Sequence, residues 1–256
     1  EKRRQGIFDA VVAGGSVSNT ELTRQFKVSV ETIRRDVILL DNHGILRRTH
    51  GGALSFNTFE PAFADRMLAN LKRKRAIGRL AASLVPDKVS VIIDFGTTAF
   101  CVAEALANHS GLTVITAGLQ AANFLAGRNG NEVIIMGGQL QASEGATLGR
   151  DATRMLENYY AEFSFVGAGV ISPHPWLMDF SREAAELRAL MLVQARNGVV
   201  LADHTKFNRM ATCRVPNFEQ AAYLITDREF DAKMARTFRS FKGEILAPRP
   251  TKEPRR

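Results

Sequence analysis

The chain has 256 residues, of which 45% are hydrophobic and 23% charged, enough for one sizeable core and a smaller second domain. Its net charge of +8 favours a polyanionic partner, and no apolar run approaches a membrane span or forms a secretion signal. The two cysteines have no metal-ligand spacing, so we expect a cytoplasmic binding protein without a metal or cofactor.

The first 56 residues have the pattern of three helices. A first helix is predicted over residues 2–13 from an apolar stripe at Ile7, Phe8, Val11 and Val12. The segment Ser18 to Glu21 has the form of a capping box and starts a second helix that runs through Phe26. After a tight turn, Ser29 is a natural N-cap for a third helix.

The third helix and the segment after it predict a winged helix-turn-helix. The helix is expected to face a core with Val30, Ile33, Val37 and Leu40. A stop at Asn42-His43-Gly44 is followed by a strand over residues 45–48, a turn over 49–52 and a short strand over 53–54. We interpret this hairpin as the wing.

Such a helix enters the major groove of DNA with its first turns. Thr32 and Arg35 can then reach base edges, while other basic groups meet phosphates or the minor groove. An isolated Arg-Arg pair is more often part of a solvated helix face. Here, however, the helix caps, the apolar stripe, the basic hairpin and the Gly-Gly turn follow one another in the expected order, which favours DNA binding. Asp36 is expected to orient Arg35 or another basic residue. The predicted DNA-binding residues are Ser29, Thr32, Arg34, Arg35, Arg47, Arg48, His50 and Gly51.

Residues 57–72 are predicted as a linker and residues 248–256 as a disordered basic tail. A helix is expected over about 73–85. Its Lys72 to Arg75 run is interpreted as a solvated face, with contact to DNA phosphates as the alternative. Because the chain begins without Met, a few residues are expected to precede it.

Residues 73–247 are predicted to form a mainly parallel α/β sheet with helices on both faces. Nearly continuous apolar strands alternate there with helical stretches. The predicted strands are residues 89–94, 112–116, 132–136, 162–166, 198–201 and 222–226.

The loops after these strands predict an anion site, since ligands bind where parallel strands end and helices begin. Asp94-Phe95-Gly96-Thr97-Thr98 can cradle a phosphate at a helix N-terminus. Lys206 can meet a phosphate and Asp203 can bind hydroxyls. Taken alone, a Gly-Thr-Thr sequence is more often a simple capped turn at the start of a helix. Each glycine pair, taken alone, is more often an ordinary turn. Further loops at this edge, at Gly137-Gly138 and Gly167-Ala168-Gly169, favour the site.

Both halves resemble the DeoR family of bacterial transcriptional regulators, as far as about residue 246. The DNA-binding motif matches at Val28, Ser29, Thr32, Ile33, Arg34, Arg35 and Asp36, and the wing motif at Arg48, His50, Gly51, Gly52 and Ala53. The sensor-domain motifs match at Asp94, Gly96, Thr97, Thr98, Gly137, Gly138, Leu148, Gly149, Asp203, Lys206 and Phe207.

The resemblance implies a sensor domain similar in fold to ribose-5-phosphate isomerase and glucosamine-6-phosphate deaminase. It implies a repressor of a sugar or polyol catabolic operon that responds to a phosphorylated sugar or polyol and binds its double-stranded operator as a homodimer or homotetramer. The expected effector-binding residues are Asp94, Gly96, Thr97, Thr98, Gly137, Gly138, Asp179, Glu183, Asp203 and Lys206.

Effector identity is less well defined by the pattern. Three segments are similar to the glycerol-3-phosphate regulon repressor within the family: residues 108–110, 177–180 and 203–207. The chain departs from the family at Ala117, at Arg188-Ala189 and at the bulky Pro173-His174-Pro175-Trp176 entrance loop. Near that entrance Glu186 and Arg188 are also candidates, although surface ion pairs are the simpler interpretation.

The competing hypothesis is a sugar-phosphate isomerase or deaminase. It would use Asp94, Asp179 or Glu183 for proton transfer and Lys206 as the phosphate or oxyanion partner. A fold does not carry its chemistry with it, and the spacing reveals no general-base constellation. We therefore expect a sensor and not an enzyme.

Overall fold

The computed structural model describes residues 2–14, 16–42, 46–49, 51–55 and 63–248. The predicted helix stop at residues 43–44, His50, part of the linker and the tail from residue 249 lie outside these ranges. The first 55 residues contain helices α1 (Lys2–Gly14), α2 (Asn19–Phe26) and α3 (Val30–Asn42), and strands β1 (Ser16–Ser18), β2 (Leu46–Thr49) and β3 (Gly52–Ser55). This is the predicted order of three helices and a wing.

A small apolar core closes the three helices. Its buried members are Ile7, Val11, Leu22, Ile33, Val37, Leu40, Leu46 and Ala53. The capping box is confirmed, because Ser18 Oγ accepts from Glu21 N and the Glu21 carboxylate accepts from Ser18 N at 2.9 Å. The prediction for Val30 is wrong: in the first turn of α3 it points away from this core and is 40% exposed.

The wing has a third strand that the sequence analysis missed. Strand β3 pairs with β2 on one side and with β1 on the other, both antiparallel. Gly52 is needed at this junction, because a Cβ there would lie 2.1 Å from the Val17 carbonyl oxygen. The wing is therefore tied to the segment that leads into α2.

The rest of the chain is an α/β domain. Its helices are α4 (Phe63–Leu68), α5 (Leu71–Ala82), α6 (Thr97–Ala105), α7 (Leu119–Leu125), α8 (Arg150–Leu156), α9 (Arg182–Val193) and α10 (Ala232–Thr237). Its strands are β4 (Ser90–Ile93), β5 (Thr113–Thr116), β6 (Glu132–Ile135), β7 (Gln139–Gln141), β8 (Ala146–Leu148), β9 (Ala161–Gly167), β10 (Val170–Ile171), β11 (Leu177–Asp179), β12 (Ala195–Ala202), β13 (Cys213–Arg214), β14 (Tyr223–Thr226) and β15 (Glu244–Leu246). Short 3₁₀ turns cover Leu106–Asn108, His204–Lys206 and Phe218–Gln220.

Seven of these strands form one parallel sheet, in the order β15-β14-β12-β9-β4-β5-β6. The six predicted strands are all present, with ends shifted by a few residues. Separate apolar clusters cover the two faces, one with α8 and α9 and the other with α5, α6 and α7. The mainly parallel α/β architecture is confirmed.

Two elements differ from the predictions around the linker. Helix α4 lies inside the segment predicted as linker, and α5 begins at Leu71, before the predicted start. The domain boundaries given in the sequence analysis remain predictions. Within the described ranges, every helix is too short or too polar to cross a lipid bilayer.

We expect Gly52→Ala to break the β1–β3 pairing, because backbone atoms of Val17 and Ser18 cannot retreat as a flexible side chain would. The expected loss is about 1–3 kcal/mol, the usual cost of overpacking. Faster hydrogen exchange at the amides of β1 and β3 would show it. Gly51→Ala is the matched control, since its added Cβ meets nothing within 4 Å. Equal exchange in both variants would contradict the prediction.

Candidate DNA-binding face and sensor site

The start of α3 is organised by Ser29. Its Oγ accepts from Thr32 N at 3.2 Å and lies 2.9 Å from Thr32 Oγ1, which confirms Ser29 as the N-cap. The cap therefore holds the Thr32 hydroxyl at the helix end that was predicted to enter the major groove.

Three arginines are exposed on α3 and on the wing beside it. Arg34 and Arg35 are exposed on α3, and Arg48 is exposed on the wing strand β2. Arg35 lies 3.7 Å from Glu31 in a solvent-exposed pair, which holds it weakly. A groove between helix and wing is lined by Asn19, Arg34, Val37, Ile38, Arg48 and Thr49.

The remaining predictions on this face have mixed outcomes. Gly51 is exposed in the turn between β2 and β3, while the Arg47 side chain and His50 are outside what the structure describes. Asn19 also lines the groove, but it is 8% exposed and its backbone N–H donates to the Gly51 carbonyl at 2.8 Å, so it joins α2 to the wing turn.

Asp36 has the structural role that was expected of it. It accepts a 2.6 Å hydrogen bond from Arg3 Nε and so joins α3 to α1. The same contact raises the pKa of Arg3, through the hydrogen bond and the charge of Asp36. The carboxylate is thereby engaged away from the Arg34–Arg35 pair.

In the sensor domain, Arg188 is the centre of the predicted site. Its guanidinium is 2% exposed, donates from Nε to Asp94 at 2.9 Å and from Nη1 to Asp179, and lies 4.5 Å from the Phe95 ring centre. The interpretation of Arg188 as half of a surface ion pair is therefore wrong, because α9 turns it into the core. Glu186 does form such a pair, with Arg182 at 2.7 Å.

Asp94 and Asp179 are engaged by the protein itself. Asp94 accepts from the backbone N–H groups of Phe95 and Gly167, each at 2.8 Å, in addition to Arg188. Asp179 accepts from Phe180 N at 2.7 Å and Ser181 N at 3.2 Å. Both carboxylates are buried, so their geometry suits holding loops together better than contacting an effector or moving a proton.

The predicted phosphate cradle is the N-terminus of α6. Gly96 is its N-cap and Thr97 and Thr98 begin the helix, 4% and 6% exposed. Arg188 lies beneath this loop: its Nη2 would be 3.6 Å from a Cβ at Gly96. The cradle thus combines a helix N-terminus with a nearby guanidinium, although it is covered in this structure.

The other predicted residues lie around the same sheet edge. Gly137 and Gly138 follow β6, and the turn needs glycine at 138, where φ is +132°. Glu183 is exposed at the start of α9 and accepts a 2.7 Å hydrogen bond from Gln141. Asp203 is 1% exposed and accepts from Thr205 N at 2.9 Å, so it caps the turn that carries Lys206.

Lys74 is a candidate that the sequence analysis missed. The Lys72 to Arg75 run was interpreted as a solvated face, which holds for Lys72 and Arg75 but is wrong for Lys74, only 3% exposed. Its spacing of three and seven residues from Ile77 and Ala81 was the available signal. Burial, and then the charge of Lys206, lower the pKa of Lys74 to about 8.

The bulky entrance loop lies elsewhere. His174, Pro175 and Trp176 line a cavity with Arg214, whose guanidinium is 4.8 Å from the Trp176 ring centre. Among the residues described as lining that cavity, none is a predicted effector-binding residue. A third cavity follows β14, at Thr226 to Asp231. In the described part of the chain, no group of His, Cys, Asp and Glu side chains is arranged to hold a metal ion.

Comparison with known proteins matches both halves. A model described as the DeoR-like helix-turn-helix domain matches residues 3–59, and one described as the DeoR C-terminal sensor domain matches residues 69–228. Two repressors of Escherichia coli K12 are each 30% identical: CsqR over 96% of this chain and 95% of its own, and the glycerol-3-phosphate regulon repressor over 88% and 90%. Ribose 5-phosphate isomerase A of Methanocaldococcus jannaschii aligns with 17% identity and a TM-score of 0.40, over 54% of this chain and 55% of its own.

We expect Arg188→Met to destabilise the sensor domain by about 3–5 kcal/mol, because two buried carboxylates lose their cation. Chemical denaturation of the full chain measures this. Arg182→Met, at the exposed pair on the same helix, should leave stability nearly unchanged. A similar, small effect of both substitutions would mean that the buried triad contributes little.

The lowered pKa of Lys74 predicts a pH dependence. Between about pH 8 and 10.5 the unfolded chain holds a proton on Lys74 that the folded chain has released, so stability rises with pH there. The gain relative to Lys74→Met should be about 1–3 kcal/mol. Denaturation of both proteins at pH 7.5, 9 and 10 measures it, with Lys72→Met as the exposed control. Parallel pH curves for the native chain and Lys74→Met would contradict the lowered pKa.

Proposed function

This chain belongs to the DeoR family of transcriptional regulators, and we propose that it represses an operon of sugar or polyol catabolism until a phosphorylated sugar or polyol binds its sensor domain. Operator binding by the winged helix-turn-helix is one half of this function and effector binding is the other. The effector shifts the population between an operator-competent conformation and one that binds DNA weakly.

Two groups of side chains support the proposed operator binding. Thr32 and Arg35 lie one turn apart at the capped end of α3, in the position from which side chains reach base edges. Arg34 and Arg48 border the groove beside them and suit the phosphates. We assign the same phosphate role to Arg47 and His50 from the sequence pattern.

The observation that carries the effector half is the charge around the N-terminus of α6. Gly96, Thr97 and Thr98 begin the helix, and backbone N–H groups at such an end attract anions. Lys74 lies on α5, one turn before Gly78, which packs against the Cys101 backbone in α6, and the charge of Lys206 acts on its ammonium. A helix N-terminus with two lysines suits a phosphate monoester.

The rest of the effector would be recognised by polar groups at the same edge. Glu183 is exposed and can accept from hydroxyl groups, and the glycine turn at Gly137-Gly138 is exposed as well. Asp94, Asp179 and Asp203 would then act by positioning the loops. Since one relative is named a glycerol-3-phosphate regulon repressor, we propose a small polyol phosphate as the first effector to test.

We further propose that the chain acts in the cytoplasm as a homodimer or homotetramer. A single winged domain contacts few base pairs, and specific operators are usually read by two copies at repeated half-sites. No enzymatic activity is proposed, because the two buried candidate bases already accept hydrogen bonds from Arg188 and the backbone.

The test is fluorescence anisotropy of the full chain on DNA from its own upstream region, titrated with glycerol-3-phosphate and other sugar phosphates. Arg35→Ala is expected to lose discrimination between operator and random DNA, a cost of about 1–3 kcal/mol for a bidentate base contact. Lys206→Ala should keep operator affinity and lose the response to the effector. Lys233→Ala, an exposed lysine on α10, is the control for both.

Two results would contradict the proposal. Operator binding that no phosphorylated compound changes would remove the effector half and leave the DNA half. Turnover of ribose-5-phosphate or glucosamine-6-phosphate by the purified chain would instead support the enzyme hypothesis.

A further inference from the structure

Helix α4 is the first described element after the wing, and it is fastened to the sensor domain. Phe63 N donates to the Ser143 carbonyl at 2.9 Å, and the buried Arg66 guanidinium pairs with Glu144. Ser143 and Glu144 lie in the turn between β7 and β8. The Phe63 ring also contacts Phe100 of α6 edge-on, with ring centres 6.2 Å apart. We call the Arg66–Glu144 pair the clasp.

Lys74 connects this fastening to the proposed effector site. Its Nζ donates to the carbonyl oxygen of Arg66, so the ammonium group holds the C-terminal half of α4. The same ammonium lies within electrostatic reach of Lys206 and Asp203, in the loop after β12. One buried cation therefore holds the helix that follows the DNA-binding domain in the chain and lies close to Lys206 of the proposed effector site.

The site is also closed in this conformation. Thr97 and Thr98 are at most 6% exposed and Lys74 is 3% exposed. Since α4 packs on the first turn of α6, through Phe63 and Phe100, it is one of the elements over that end of the helix. An anion cannot reach the N–H groups there unless a covering element moves.

We propose that Lys74 binds the phosphate of the effector, and that its transfer from the Arg66 carbonyl to the phosphate opens the clasp and releases α4. This inference rests on the proposed function of the site. A phosphate adds the attraction between opposite charges to the hydrogen bond, which a neutral carbonyl does not offer, so a phosphate competes well for the ammonium. Release of α4 then loosens the first described element after the wing.

Linkage gives this mechanism a distinctive consequence. If opening is needed before phosphate binds, part of the binding free energy is spent on breaking the clasp. A substitution that weakens the clasp without touching the phosphate must then tighten phosphate binding. A purely structural role of the clasp would leave that affinity unchanged or lower it.

The experiment compares Glu144→Gln with the native chain by titration calorimetry, using inorganic phosphate and glycerol-3-phosphate as probes. Glu144→Gln should bind the responding probe about fivefold more tightly, and the amides of α4 should exchange faster without any ligand. Glu157→Gln, at an exposed glutamate after α8, should change neither value. Unchanged affinity and exchange in Glu144→Gln would overturn the mechanism.

A second variant separates the two roles of Lys74. Lys74→Met should weaken binding of the same probe at least about tenfold and speed exchange in α4 without ligand, whereas Lys72→Met should do neither. Tight phosphate binding by a folded Lys74→Met protein would overturn the assignment of Lys74 and leave the proposed function standing. A native chain that binds no phosphorylated probe would overturn both.

Discussion

The buried ion triad of Arg188 with Asp94 and Asp179 is the interaction on which the sensor edge depends. It joins the ends of β4 and β11 to α9, while Asp94 also holds the end of β9 through Gly167. Burying three charges is costly, and it becomes acceptable here because backbone N–H groups satisfy the carboxylate oxygens that Arg188 leaves. The loop at Gly96 lies above this triad, so the shape of the predicted anion cradle is set by residues that need not touch the anion.

Most of the architecture could be predicted from the sequence. Caps, apolar stripes and continuous apolar strands are local signals, so the three-helix unit, the wing and six strands of the parallel sheet were all predictable. The short elements were not: β1 has three residues, α4 six and β15 three, too few to display a period. The prediction that Val30 is buried was wrong, because a residue in the first turn of a helix can point outward even when its spacing fits the apolar stripe.

The candidate site was predictable as a set of loops but not as a set of contacts. Parallel topology brings strand ends to one edge, which is why Asp94, Gly137 and Asp203 could be grouped in advance. Which side chains face inward depends on tertiary packing across long sequence separations. Arg188 pairs with Asp94 at a sequence separation of 94 residues, and Arg66 pairs with Glu144 at a separation of 78 residues. No local sequence pattern predicts either pair. Lys74 was concealed by its charged neighbours, although its helical spacing put it on the buried face.

The continuous sheet of β1, β3 and β2 joins the wing to the three helices, so the DNA-binding domain is a single packed unit. Because β1 directly precedes α2 and the helix α3 packs on β2, the wing cannot tilt independently of the helix that it flanks. The spacing between the predicted base-contacting side chains of α3 and the arginines of the wing is therefore set by the packing of this domain. We therefore expect an effector to change whether this domain is placed for operator binding, and to leave the internal geometry of α3 and the wing unchanged.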